Sequence, residues 1–189
     1  MEPTDHELVS RYRDGDADAL GTLVDRYRRP LFAYLLNMTD RQADVDELFQ
    51  EVWFRVIRKL HLYKKKNFYG WLIRMAHNLT IDSIRRRKPD FSLDAEISDG
   101  GSRWVDTLPG PERDPKVDMA DSELGNRIRE ALQTLPPEQR EVFVMRAYQD
   151  MAFKDVAAVQ RVSINTALAR MQYALTKLRP LLAQDYENL

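Results

Sequence analysis

The sequence predicts an all-α protein of two small helical domains joined by an acidic, flexible linker. Three observations carry this expectation. Apolar residues recur at helical spacing over most of the 189 residues, and no alternating run of useful strand length occurs. Glycine is scarce, at 7 residues. The helical pattern lapses at one long stretch, where Pro89, Pro109, Pro111 and Pro115 gather with Gly100, Gly101 and Gly110. The expected boundaries are therefore 1–88, 89–117 and 118–189, a length suited to one ordinary domain or two small ones.

In chain order, the first long stripe is Leu23, Val24, Tyr27, Leu31, Tyr34, Leu35 and Met38. Pro30 lies inside it and predicts a kink or local break, because proline lacks the amide a helix interior needs. The next stripe is Val45, Leu48, Phe49, Val52, Trp53, Val56, Ile57 and Leu60. A polar loop from His61 to Asn67 then leads into a helix with Phe68, Trp71, Leu72, Met75, Ala76 and Leu79 inward.

Beyond the linker, Leu124, Ile128, Ala131, Leu132 and Leu135 resume the pattern. Pro136-Pro137-Glu138 reads as a helix start, since proline is tolerated where the amide has no partner. A short helix over Phe153–Val159 is followed by a turn and a long helix from Ser163 to about Leu182. Ser163 suits its N-cap, and Ile164, Ala167, Leu168, Met171, Ala174, Leu175 and Leu178 its buried stripe.

Composition excludes several functions. With no cysteine there is no disulfide scaffold, thiol nucleophile or thiolate-bound metal. His6, His61 and His77 share no metal-binding spacing. No nucleophile–base pair or phosphate-cradling glycine loop is present, so the chain is not expected to be an enzyme or to need a cofactor. The N-terminus does not read as a signal peptide, and no apolar run reaches the ~18 residues of a membrane span. A cytoplasmic protein without membrane insertion is expected.

The net charge of −1 conceals segregation. Residues 1–51 carry −6, residues 52–88 carry +10, residues 89–126 carry −7 and residues 127–189 carry +2. Such blocks describe partners better than their mean does.

Three features stand out. The last two helices have the outline of a helix-turn-helix, although any all-α domain contains short helix pairs. Second, Tyr63, Lys64, Lys65, Lys66, Asn67, Phe68 and Tyr69 lead into a helix ending Arg85-Arg86-Arg87-Lys88. Aromatic faces stack unpaired bases at ~1–3 kcal/mol each, and cations neutralise phosphates. Phe68 and Trp71 sit on the apolar stripe and are expected to be core, whereas Tyr63, the lysines and Asn67 lie off it and are expected at the surface. Arg74, Asn78, Asp82 and Arg85 share one polar helix face. Third, Asp44-Val-Asp-Glu-Leu-Phe-Gln-Glu51 places acids beside an apolar stripe at a helix start. That suits either the helix dipole or docking onto a basic partner.

Asp44-Val-Asp-Glu-Leu-Phe-Gln-Glu-Val-Trp53, followed by Phe68-x-x-Trp-Leu-Ile-Arg-Met-Ala-His-Asn-Leu-x-x-Asp82-x-x-Arg85-Arg-Arg, resembles region 2 of bacterial extracytoplasmic-function (ECF) sigma factors of the sigma-70 family. Ala131-Leu-Gln-Thr-Leu-Pro-Pro-Glu-Gln-Arg-Glu-Val-Phe143, with the terminal helix-turn-helix, resembles their region 4. The resemblance covers roughly residues 5–88 and 124–180, in the family's order.

The resemblance implies a sigma factor that directs core RNA polymerase to promoters. It assigns core docking to Asp44, Asp46, Glu47, Phe49, Gln50, Glu51 and Trp53. It assigns recognition and melting of the −10 element to Tyr63, Lys64, Lys65, Lys66, Asn67, Phe68, Tyr69, Arg74, Asn78 and Asp82. Arg85, Arg86, Arg87 and Lys88 would track duplex phosphates just upstream. Arg161, Ser163, Asn165, Thr166, Arg170 and Gln172 would read the −35 element. Many members are also held by an anti-sigma factor. The acidic tether is expected to separate two DNA-facing domains.

Region 4 departs from the family pattern. Gln160-Arg161 occupies a turn that usually holds a small residue, often glycine, and Leu168 and Tyr173 fill positions that are usually basic. Two other readings stay open. One is a stand-alone helix-turn-helix regulator, and the other is a sigma-like protein that binds core without directing initiation.

Overall fold

The structure, a computed structural model, describes residues 2–39, 41, 43–64, 67–87 and 123–186. The linker expected at 89–117 lies outside these residues, as do Lys65, Lys66 and Lys88. Among the described residues every regular element is helical.

The chain opens with a short helix, α1 (Asp5–Arg13), and a long one, α2 (Ala17–Met38), joined at Gly15, whose φ of 101° admits the sharp turn. Thr4 and Glu7 close a reciprocal capping box on α1, and Asp16 accepts from the Asp18 and Ala19 amides to start α2. Each such cap contributes about 1 kcal/mol. Asp5 then ties α1 to α2, accepting from Arg26 at 2.6 Å and from the Tyr27 hydroxyl at 2.5 Å.

Of the kink or local break expected at Pro30, the break does not occur: α2 runs through it as one helix. Leu31, Tyr34, Leu35 and Met38, just beyond the proline, have no exposed surface. Burial of this stripe offsets the lost hydrogen bond, since each such side chain contributes about 1.5–3 kcal/mol.

Helix α3 (Ala43–Lys59) ends in a 3-10 turn, Leu60–Leu62, and α4 (Phe68–Arg87) follows. The stripes read from the sequence form the core here. Val45, Val52, Val56, Phe68, Leu72 and Ala76 are all fully buried. These four helices form the first lobe.

The second lobe holds α5 (Glu123–Gln133), α6 (Pro137–Ala147), α7 (Phe153–Gln160) and α8 (Ile164–Tyr186). Pro137 takes the first position of α6, as its sequence signal predicts. The stripe expected on α8 is only half buried. Ala167, Ala174 and Leu178 are buried, whereas Ile164, Leu168 and Leu175 are 43–48% exposed. One flank of α8 is therefore buried and the other exposed.

The two lobes meet directly. Helices α5 and α6 pack on α2, and α7 packs on α4, giving one buried cluster that spans both halves.

Candidate nucleic-acid interface

The acidic docking candidates begin α3. Asp46, Glu47 and Gln50 are exposed, Asp44 and Phe49 are half-buried, and Glu51 pairs with Arg55 at 2.8 Å. Val45 and Leu48, interleaved with them, face the core. Trp53 departs from expectation: it is 1% exposed, with its ring edge-on to Phe49. Its place on the apolar stripe explains this, so it supports the acidic edge from beneath and offers no surface.

The loop before α4 also differs from its sequence reading. Tyr63 was expected at the surface but is 4% exposed, packed 5.5 Å from the Phe68 ring and 5.0 Å from that of Trp71. The 3-10 turn changes the phase of the chain, so a residue off the α3 stripe points inward. Burial pushes the Tyr63 phenol up to about 12. Phe68 is fully buried, as its stripe position predicts. Tyr69 is half-buried, stacked on Tyr27 with ring centroids 5.5 Å apart.

What the loop presents outward is polar. Lys64 and Asn67 are exposed, and Asn67 accepts from the Gly70 amide at 2.8 Å, which begins α4. A side chain at position 70 would meet Asn67 at 3.0 Å, so this close approach suits glycine. Arg13, not singled out by sequence, holds the loop: its Nη2 donates to the carbonyl oxygens of Leu60 at 2.7 Å and His61 at 3.3 Å, and to that of Tyr63.

On α4 the four polar residues at spacings of 4, 4 and 3 do lie away from the core. Arg74 and Asn78 are half-buried, and Asp82, Arg85 and Arg86 are exposed. Nothing is described of the Arg87 side chain.

In the second lobe, α7 and α8 form the helix-turn-helix. Arg161 ends α7 with φ 55° and ψ 44°, the left-handed conformation that glycine adopts without strain. The turn therefore keeps this geometry with arginine in place. Ser163 caps α8 by accepting from the Thr166 amide at 3.0 Å. Arg161, Ser163, Asn165, Thr166 and Gln172 are exposed, but Arg170 is half-buried and donates to Gln160 at 2.6 Å.

One cluster that the sequence did not reveal joins the lobes. Glu141 of α6 has no exposed surface and accepts on Oε1 from the Tyr34 hydroxyl. His77 Nδ1 lies 2.6 Å from the same oxygen, and Gln160 donates to Oε2 at 2.7 Å. The Tyr69 hydroxyl donates to Gln149, and Gln133 to the Thr39 carbonyl at 3.0 Å. Tyr34 and Glu141 are 107 residues apart in sequence, beyond any local pattern. The available hint was a glutamate beside an apolar run.

Among the described residues no group of His, Asp and Glu could hold a metal ion, and no helix is long and apolar enough to cross a membrane. They define a two-lobed helical protein with an acidic edge on one lobe and a helix-turn-helix on the other.

Comparison with known proteins identifies the class. Residues 23–89 match sigma-70 region 2, and residues 125–178 match sigma-70 region 4. The ECF RNA polymerase sigma factor SigW of Bacillus subtilis is 26% identical over 181 residues, covering 95% of this chain and 97% of the relative. The ECF RNA polymerase sigma factor SigE of Mycolicibacterium smegmatis is 29% identical over 189 residues, covering 97% and 71%.

The fold is similar to that of CnrH solved with the cytosolic domain of CnrY, at 24% identity and a TM-score of 0.69, covering 96% of this chain and 98% of that one. It is also similar to RpoE of Bartonella quintana solved with the anti-sigma factor NepR, at 18% identity and a TM-score of 0.65, covering 86% and 96%. The chain belongs to the ECF group of the sigma-70 family. Its class directs core RNA polymerase to promoter DNA.

Proposed function

We propose that the chain docks on core polymerase through the acidic edge of α3, opens the −10 element with the loop and α4, and contacts the −35 element with α8. The observation that carries this reading is the segregation of charge in the first lobe. Asp46 and Glu47 are exposed at the start of α3, whereas Lys64, Arg85 and Arg86 are exposed on the loop and α4. An acidic edge suits a basic protein surface, and the basic side suits phosphate.

The revised burial changes how melting would work. Lys64 and Asn67 meet DNA first, while Tyr63 and Phe68 form the floor beneath them. Polymerisation chemistry is left to the core enzyme, and the site of action is cytoplasmic. An anti-sigma partner, expected from the family, belongs to the same proposal. A second reading, core binding without initiation, is favoured by Leu168 and Tyr173, which are 44% and 62% exposed where cations are usual.

Asp46→Lys with Glu47→Lys should abolish co-elution with core polymerase while leaving the helical circular dichroism unchanged. Lys64→Ala with Asn67→Ala should keep co-elution but abolish permanganate reactivity of −10 thymines in transcription complexes. Surviving reactivity would overturn the loop assignment, and wild-type chain that binds core but opens no promoter would establish the second reading.

A further inference from the structure

We propose that α8 reads a run of A·T pairs in the DNA major groove, Asn165 and Gln172 recognising adenine and Leu168 and Ala169 the thymine methyl groups. The inference rests on the reading that α8 contacts the −35 element, and it supplies the base chemistry which that reading leaves open.

The helix-turn-helix offers the groove an uncharged face. At 3.6 residues per turn, Asn165, Leu168, Ala169 and Gln172 fall within about 100° of the α8 circumference. All four are exposed, on the side away from buried Ala167, Ala174 and Leu178. The other polar groups close by are engaged within the protein. The Ser163 and Thr166 hydroxyls lie 2.8 Å apart in the cap of α8, and Arg170 donates to Gln160 at 2.6 Å. Between Val162 and Thr176, Arg170 is the one charged residue. Exposed cations flank the face, with Arg161 before it and Lys177 and Arg179 beyond it.

Each base asks for a different group. Guanine is read by a guanidinium or ammonium on O6 and N7, and cytosine by a carboxylate on its amino group. This face presents neither. Adenine takes a side-chain amide on N6 and N7, and the thymine methyl takes an apolar contact. Asn165 and Ala169 are four residues apart, as are Leu168 and Gln172, so each amide stands beside an aliphatic group on the adjoining turn. Those couples match the two features by which an A·T pair shows itself in the major groove. The flanking cations supply phosphate contacts, which set register but carry no sequence. Leu168, 44% exposed, thus has a use for which an arginine would be the wrong group.

Duplexes with a randomised central segment would be selected on the full chain, alone and in complex with core polymerase, with core alone as the reference. The selected pool should be enriched in A·T pairs over the core-alone pool. Leu168→Arg should move one position of the selected sequence from A·T to G·C. On the wild-type chain, uracil in place of thymine at that position deletes only the methyl and should weaken binding about fourfold. The same exchange should leave binding by Leu168→Ala unchanged. 7-Deazaadenine in place of a selected adenine, which removes N7, should weaken wild-type binding at least about fivefold.

A pool rich in G·C, or one no different from that of core alone, would overturn the proposal. So would uracil and 7-deazaadenine duplexes that bind like their parents, the result expected if phosphate contacts or minor-groove shape alone were read. Should a variant lose its helical signal, the base analogues on the wild-type chain decide alone. Co-elution with core and −10 opening, measured separately, test the functional reading. A chain that binds no core can still select A·T duplexes, and one that opens promoters can select G·C, so the two failures are distinguishable.

Discussion

Arg13 reaches across the first lobe to the Leu60 carbonyl at 2.7 Å, and the same guanidinium nitrogen holds the His61 and Tyr63 carbonyls. The end of α1 therefore fixes the loop that presents Lys64. Arg13→Ala should cost about 1 kcal/mol of stability, since the arginine is largely exposed. It should slow promoter opening while sparing core co-elution. Urea melts and permanganate footprints measure the two effects separately.

Tyr63 and Trp53 are core residues, 4% and 1% exposed, and should behave as such. Tyr63→Ala and Trp53→Ala should each destabilise the first lobe by about 3–5 kcal/mol, whereas Lys64→Ala should leave the thermal midpoint unchanged. Tyr63→Phe should be near neutral, because the ring contacts persist. Differential scanning calorimetry of the four variants decides between packing and surface roles.

Arg161 holds a left-handed conformation that costs an L-residue about 1 kcal/mol. Arg161→Gly should raise stability by a similar amount while removing a cation from the helix-turn-helix. Affinity for −35 duplex should fall, and its logarithmic salt slope should flatten by about one unit. A titration at several salt concentrations, paired with a thermal melt, shows both changes.

Tyr27, Tyr34, Tyr63, Tyr69 and Tyr148 all have phenols raised above the ordinary value of 10, chiefly by burial. The folded chain keeps these protons at pH values where the unfolded chain releases them. Stability is therefore full below pH 10 and falls as pH climbs through the Tyr63 value of about 12. Denaturant melts between pH 9 and 12 should show this decline, with phenolate absorbance appearing together with unfolding.

The helices were legible because burial imposes a period, and Val45, Leu48 and Val52 or Leu72, Ala76 and Leu79 display it plainly. Tyr63 was misread because a three-residue 3-10 turn shifts phase without leaving a periodic trace. That α2 continues through Pro30 was not legible, because a proline's local cost is visible in sequence while the burial that offsets it is not. On α8 the period predicted one buried stripe, but Ile164, Leu168 and Leu175 are exposed. The acidic and basic edges were legible as charge blocks. Glu141 and its partners were not, since their meeting depends on how two separately patterned lobes come together.

The proline within α2 has a last consequence. Pro30 removes one amide and strands the Arg26 carbonyl at mid-helix, dividing the ladder into two stretches. The earlier stretch is tied to α1 through Arg26 and Tyr27, whereas the later one carries Tyr34 and leads to Thr39, which face the second lobe. A single helix thus contains two reporters for amide hydrogen exchange. Protection over Leu23–Tyr27 follows the integrity of the first lobe, and protection over Leu31–Met38 also follows its apposition to the second.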